Sequence, residues 1–334
     1  MNKKLNDKNM EIIEILKNKF SKIPFFVRII ETNNKIIIWN DKNIKIKIKK
    51  ENLPNINEID SFVELTWKLI MNKVEKKYEN FNKKLSIIIP NYNNELFIEK
   101  TIQSILNNTY QDIEIIFIDD CSTDKSLEIV KNNFDNDSRV KIYKNEENKG
   151  AYYCRNKGIL LSEGYYVTFV DGDDYVEGGK FEYEINGLEK LNENLENKDK
   201  YWAYGTRFIR MYVENDIENI KKFRKSNSFV FLYRRQLFNY LGLFHNNRFG
   251  ADSELLKRAR MYNYNFFLDE NTYMYYAHTI EGKNLTQIYK TDIRREYMKE
   301  RIKALKEKEY IEMALLDDDL KDFLCKIEIN KINN

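Results

Sequence analysis

From Lys84 onward, short uncharged runs of β-branched and aromatic residues alternate with longer stretches whose apolar positions recur every three or four residues. That alternation predicts βαβ units and a mostly parallel, Rossmann-like α/β sheet flanked by helices. Leu85-Ser-Ile-Ile-Ile-Pro90, Ile113-Glu-Ile-Ile-Phe-Ile118, Val140-Lys-Ile-Tyr143 and Tyr165-Tyr-Val-Thr-Phe-Val170 read as strands. The last is uncharged, as suits a strand covered on both faces. Amphipathic spacing predicts helices over Leu96–Leu106, through Leu127 and Val130 with Ser122 or Thr123 as cap, and from Asn148 to Gly158. A further helix starts at Phe181 and gives way to an Asn/Glu/Lys-rich loop by Lys200. Trp202–Val213 reads as a strand pair or a substrate-side strand, Val230–Gly242 as a strand running into a helix, and Arg248–Arg258 as a helix with acids in its first turn.

The flanks follow other patterns. Before Lys84 the spacing predicts a small α+β region: a helix over Met10–Phe20, strands over Phe25–Ile30 and Lys35–Lys49 with a turn at Asn33-Asn34, and a helix over Phe62–Tyr78. Ile44, Ile46 and Ile48 alternate with lysines, the pattern of a half-buried strand with a basic outer face. After residue 290 a charged amphipathic helical tail carries Tyr297, Ile302 and Leu305 on one side. The expected organisation is an accessory region (1–82), an α/β domain (83–290) and a helical tail (291–334).

Composition narrows the classes. With 334 residues, 42% hydrophobic and 33% charged, the chain has core enough to fold without staples. Its 56 basic and 53 acidic residues leave a net charge of +3, too balanced to favour nucleic acid or an anionic membrane. Cys121, Cys154 and Cys325 show no metal-ligand spacing, which predicts a reducing compartment and no disulfide scaffold. No apolar run approaches the ~20 residues that span a bilayer, and the first residues lack an apolar leader. A cytoplasmic protein without a transmembrane segment is expected.

Candidate chemistry sits where strands end. Val170 is followed by Asp171, Asp173 and Asp174 around Gly172, and Ile118 by Asp119 and Asp120. Alone, such a cluster is more often a polar turn. Two acidic strand ends on one edge of a parallel sheet instead occupy the place where open α/β sheets bind ligands. Crowded carboxylates repel unless a cation lies between them. Mg²⁺ or Mn²⁺ takes such oxygen ligands and leaves positions for phosphate oxygens.

Ser86-Ile-Ile-Ile-Pro-Asn-Tyr-Asn93, Ile116-Phe-Ile-Asp-Asp-Cys-Ser-Thr-Asp-Lys-Ser126, Asn148-Lys-Gly150 with Arg155-Asn156, and Val170-Asp-Gly-Asp-Asp174 occur in that order, followed by Phe249-Gly-Ala-Asp-Ser-Glu254. Together they resemble the nucleotide-sugar domain of family-2 glycosyltransferases with the GT-A fold, over roughly Lys84 to Gln287. The resemblance implies an inverting, metal-dependent transfer from a nucleotide-diphosphate sugar, a UDP-sugar first, to a hydroxyl of a glycan, protein or small-molecule acceptor. It sets Pro90, Tyr92 and Asp120 around the nucleoside, with Tyr92 as stacking surface and Asp120 accepting the uracil imide proton. Asp119 is read instead as bonding backbone in its turn. Gly150 and Arg155 fall at donor contacts, where a planar guanidinium suits pyrophosphate or a carboxylate. Asp173 is the expected metal ligand, with Asp171 toward the metal or the ribose and Asp174 behind them.

The resemblance makes Asp252 the general base. Ala251 stands where relatives carry Glu, which leaves Glu254 as a competing base. Cys154 stands where many relatives carry Ala, and reads as a buried thiol. In Tyr275-Tyr-Ala-His-Thr-Ile-Glu-Gly-Lys-Asn-Leu-Thr286, His278 or Lys283 is placed to reach the diphosphate, and His278 is a further candidate metal ligand. A plain surface loop is the alternative there. Two other functions stay open: a catalytically silent nucleotide-sugar-binding module, and a sugar nucleotidyltransferase. The second expects a Gly-rich basic phosphate loop, which Pro90-Asn-Tyr-Asn-Asn94 is not. A homo-oligomer is left open.

Overall fold

The computed structural model describes residues 83–195, 200–213, 220–245 and 250–280 without a break. It also describes residues 10–16, 27–31, 35–40 and 45–50, and positions 53, 54, 58, 59, 62, 66, 295, 296, 299, 300 and 303. The chain divides into two compact units, one of residues 1–81, 238–243 and 307–334, the other of residues 82–237 and 244–306.

In the first unit residues 10–16 are helical and bury Ile12, Ile13 and Leu16. Three antiparallel strands follow in the order β1 (Val27–Glu31), β2 (Lys35–Asn40) and β3 (Lys45–Lys49). The single strand expected over Lys35–Lys49 is therefore two, with Trp39 opposite Lys45. The polar run Asp41-Lys-Asn43, rich in turn formers, separates them in sequence. The Asn33-Asn34 turn, nearly all of the Phe62–Tyr78 helix and most of the tail lie outside the described residues.

The second unit is built on an eight-stranded sheet. In chain order its elements are β4 (Leu85–Asn91), α1 (Ile98–Leu106), β5 (Ile113–Asp119), α2 (Ser126–Phe134), β6 (Val140–Lys144), α3 (Ala151–Leu161), β7 (Tyr166–Phe169), β8 (Tyr175–Val176) and α4 (Lys180–Asn192). Then come β9 (Tyr201–Val213), β10 (Ile220–Arg234), α6 (Ala251–Met261) and β11 (Asn265–Ile280); the short α5 (Leu237–Leu241), between β10 and α6 in sequence, belongs beyond Leu237 to the first unit. The strand order is β6-β5-β4-β7-β10-β9-β11-β8. Only β10 and β8 run against the other six, so the sheet is mixed but mostly parallel.

Every residue of β4 and β5 is buried, the mainly apolar runs together with Glu114 and Asp119, both of which are hydrogen-bonded. Ile98, Ile102 and Ile105 of α1 join Ile87, Ile89, Ile115 and Phe117 in one core. Each such side chain contributes about 1.5–3 kcal/mol on full burial. This apolar slab makes the carboxyl edge of β4, β5 and β7 a fixed platform. Among the described residues no helix is long and apolar enough to cross a membrane.

Three outcomes settle or correct the sequence pattern. Of the two readings of Trp202–Val213, the single strand is found and the strand pair is not; it pairs in parallel with β11. The segment carrying His278 is not a surface loop: through Ile280 it belongs to the 16-residue β11. Ser122 and Thr123 do not cap α2, because both hydrogen-bond the loop after β4 instead.

Candidate active site

Three neighbouring strands end together, and each is followed by polar residues that bond to the next. After β4, the Asn91 side chain donates to Asp119 Oδ1 at 3.3 Å and accepts from the Asn94 amide at 3.1 Å. Ser122 Oγ accepts from Asn93 N at 3.0 Å, and Asn93 Oδ1 accepts from Thr123 N at 2.8 Å. Glu95 N donates to Asp124 at 2.9 Å while Lys125 N donates back to Glu95 at 2.9 Å. The two loops are thereby laced into one floor. Pro90 is buried in it, and its carbonyl accepts from Gly172 N at 3.2 Å. Tyr92 stands out of the floor with 47% of its surface exposed.

Asp119 is wholly buried and accepts from Ser122 N at 3.1 Å, a turn-building role. Asp120 is tied down by three donors: Asn145 Nδ2 at 2.8 Å, Lys149 N at 2.9 Å and Gly150 N at 2.7 Å. Gly150 adopts φ 92° and ψ 161°, a conformation open essentially to glycine alone, and leads into α3. Cys154 lies one turn into that helix, its thiol pKa pushed up by burial and then by the Asp120 charge.

The acid turn follows β7. Gly172 is packed against the first loop so closely that a Cβ would lie 2.5 Å from Asn91 Oδ1 and 2.9 Å from Asn94 Nδ2. Asp174 is buried and receives Tyr275 OH at 2.8 Å and His278 N at 2.9 Å, which pins the turn to β11. Tyr275 OH in turn accepts from Asp171 N at 3.1 Å. His278 Nδ1 meets the carbonyl oxygen of Asp173, and its ring lies 4.7 Å from Phe97, where burial lowers its pKa. Lys283 lies outside the described residues. The Asp173 carboxyl is pushed up to about 7 by burial and then by repulsion from Asp171.

Arg155, on α3, joins this turn to α6. Its guanidinium reaches Asp171 Oδ1 at 2.7 Å and Asp252 Oδ1 at 3.0 Å. It rests 5.1 Å from the Tyr152 ring and 5.5 Å from the Phe169 ring. Burial works to lower its pKa, but the charges of Asp171 and Asp252 outweigh this and hold it well above the usual value. Asp252 also accepts the Tyr152 hydroxyl at 2.6 Å. Glu254, two residues along, has none of its surface exposed and is held by Arg258 at 2.8 Å. So Asp171, Asp173, Arg155 and Asp252 come together, and Glu254 faces the interior.

A hard divalent cation fits the turn. Among the described residues no group of three or more His, Cys, Asp or Glu converges on one point. Asp171 and Asp173 are a set of one or two carboxylates, the kind that leaves the remaining positions of Mg²⁺ to water and substrate phosphate. Burial and the neighbouring Asp171 charge both raise the Asp173 carboxyl, a cost that a bound cation would relieve.

Asn91, Tyr152 and Tyr275 carry much of this architecture and went unremarked in the sequence pattern. Tyr152 and Tyr275 act on residues 100 and 101 positions away, so local spacing held no signal for them. Asn91 lay inside a quoted motif and could have been found there.

Comparison with known proteins supplies independent findings. Residues 86–258, just over half of the chain, match the family described as glycosyl transferase family 2. The uncharacterized glycosyltransferase EpsJ of Bacillus subtilis is 33% identical over 208 residues, covering 57% of this chain and 60% of that protein. An uncharacterized glycosyltransferase of Haemophilus influenzae is 46% identical over 102 residues, 30% of this chain and 41% of the relative. The chain thus matches less than two thirds of the length of these relatives. Among solved structures, residues 1–349 of S. aureus TarS in complex with UDP-GlcNAc superpose with a TM-score of 0.50 at 22% identity, covering 65% of each chain. That likeness concerns the fold.

Proposed function

The chain belongs to glycosyl transferase family 2 and has the GT-A fold, and from that premise we propose that it transfers a sugar from a UDP-linked donor to an acceptor hydroxyl, with inversion. The observation that carries this reading is the Arg155 bridge, one guanidinium 2.7 Å from Asp171 and 3.0 Å from Asp252. It keeps the donor-side carboxylate and the base within one side chain of each other, as a direct displacement between two held reactants requires.

Tyr92 gives the nucleobase an exposed apolar face. Asp120 orders the amides of Lys149 and Gly150 beside the nucleoside. Asp173, with Asp171, holds Mn²⁺ or Mg²⁺, which when bound supplies Lewis-acid charge at the leaving diphosphate. Arg155 adds a second cation there, and its buried Nε has no hydrogen-bond partner among the described residues. Asp252 takes the proton from the acceptor hydroxyl, oriented by Tyr152 OH at 2.6 Å. Glu254 is not assigned this role, because it is buried and paired with Arg258.

The test is release of nucleoside diphosphate from UDP-, GDP- and dTDP-sugars by purified protein with Mn²⁺. Release from a UDP-sugar is expected, with loss of metal-dependent turnover in a folded Asp173→Ala variant and loss of transfer in Asp252→Asn. If none of these donors is consumed, the enzyme reading fails. Metal-dependent UDP binding without turnover, unchanged by Asp252→Asn, would instead mark a binding module.

A further inference from the structure

Near the end of β10 the side chains alternate between two faces. Val230 and Leu232 face the core of the sheet, as Phe267 does on β11. Phe229, Phe231 and Phe266 lie on the other face, and each keeps part of its surface exposed. A sheet face that meets water is ordinarily polar. Half-exposed aromatic rings side by side instead mark a surface that receives a ligand or partner. The three rings form one cluster, with Phe231 6.2 Å from Phe229 and 5.6 Å from Phe266 between centroids. Gly205 of β9, paired with Phe231, makes room for that ring, since a Cβ there would lie 2.6 Å from it.

The cluster is continuous with the residues around Asp252. Phe231 is 5.7 Å from Tyr233, and Tyr233 is 6.0 Å from Phe169. Phe169 lies 5.5 Å from the Arg155 guanidinium, which holds Asp252 at 3.0 Å. The Tyr233 phenol reflects the same closeness, its pKa raised by burial and then by the Asp252 charge. Leu232 pairs with Thr168 in antiparallel register, so Phe231 and Phe229 run on past β7 to the level of the acid turn. At the outer end Arg207 lies 5.5 Å from the Phe229 ring and pairs with Glu270 at 3.2 Å. An apolar floor thus leads away from Asp252 to a charged, hydrogen-bonding rim.

We propose that Phe229, Phe231 and Phe266 form an acceptor subsite, and that they stack on a sugar ring of a carbohydrate acceptor whose hydroxyl is presented to Asp252. The proposal rests on reading Asp252 as the base. A pyranose carries C–H groups on one face, which aromatic rings cover, and a girdle of hydroxyls, which Arg207 and Glu270 can meet. Apolar rings with a few placed polar groups are the usual lining of a small-molecule site.

The experiment titrates cellobiose, lactose and N,N′-diacetylchitobiose into the full chain, with and without saturating UDP and Mg²⁺, and reads binding by saturation-transfer NMR. UDP binding is measured separately by calorimetry. Expected is binding of at least one disaccharide through the ring C–H protons of one sugar, undisturbed by UDP. In Phe229→Leu/Phe231→Leu, which keeps apolar bulk but loses the ring faces, its Kd weakens about tenfold while UDP binding stays unchanged. Phe231→Leu alone repeats the test should the double variant fold poorly. Three results overturn the proposal: none of the three sugars binds, UDP displaces the bound sugar, or binding is undiminished in both variants. Should UDP itself fail to bind, the donor reading falls while the titration without UDP still decides the subsite.

Discussion

Arg155 serves two acids at once, and lysine cannot take its place. A guanidinium presents two edges in one plane, whereas an ammonium is a single point. Arg155→Lys is therefore expected to lower kcat by roughly a hundredfold, the scale of a reacting group misplaced by about an ångström. Steady-state rates against thermal denaturation will separate this from misfolding, and unchanged kcat would remove Arg155 from the mechanism. Tyr152→Phe keeps the ring beneath Arg155 but deletes the 2.6 Å bond to Asp252. It is expected to reduce kcat with little change in the KM for the donor, since Tyr152 orients the base and not the nucleotide. At this scale the sequence was most legible where chemistry is crowded. Asp120 and Asp171 to Asp174 follow apolar strands directly, so a single pass along the chain finds them. Tyr152 and Tyr275 are ordinary aromatics in the sequence, and only folding brings them to their acids.

At the scale of elements, two contacts hold the sheet's edges to its helices and loops. The first is Gly172, where a methyl group would meet Asn91 and Asn94 below 3.0 Å. Gly172→Ala is expected to cost about 1–3 kcal/mol, as overpacking does, and to shift the acid turn, so metal-dependent turnover falls more than stability. Denaturant unfolding and kcat, measured together, check this. The second lies at the opposite end of the same strands. Glu114, buried on β5, accepts from Ser86 Oγ at 2.5 Å, Lys141 Nζ at 2.7 Å, Glu163 N at 2.6 Å and Gly164 N at 3.1 Å. Burial alone would raise its pKa, but the bonds to Lys141, Ser86 and Glu163 bring it below the ordinary value. A carboxylate depressed in the folded state contributes stability above its unfolded pKa, about 4.3, and loses it as pH falls through the folded value. Glu114→Gln should lose roughly 1.5–3 kcal/mol at neutral pH. The wild type should therefore lose its advantage over the variant below about pH 4, which melting curves across pH will read. β4, β5 and β7 were legible because a buried parallel strand needs an unbroken apolar run. β9 and the end of β10 were legible as strands from Trp202 and from Val230, but the start of β10 and all of β11 were not, because their pairing depends on partners far away in the chain.

For the molecule as a whole, the proposed donor and cation would bind the folded state alone and so raise its stability by mass action. At a hundred times Kd the gain is about 2.7 kcal/mol. A UDP-sugar with Mn²⁺ should raise the melting temperature well above either one alone, and equal shifts would argue against a shared site. The Arg155 bridge bears on the timing of a reaction cycle as well as on its chemistry. On the proposed roles, the guanidinium holds Asp252 before any donor arrives, so the proposed base would be engaged in the resting protein. Arrival of a diphosphate gives Arg155 a competing anion and frees the carboxylate for the acceptor. Binding would then be compulsory in order, nucleotide sugar first and acceptor second. UDP should compete with the donor but not with the acceptor in initial-rate studies, and water would find no active base in the resting protein.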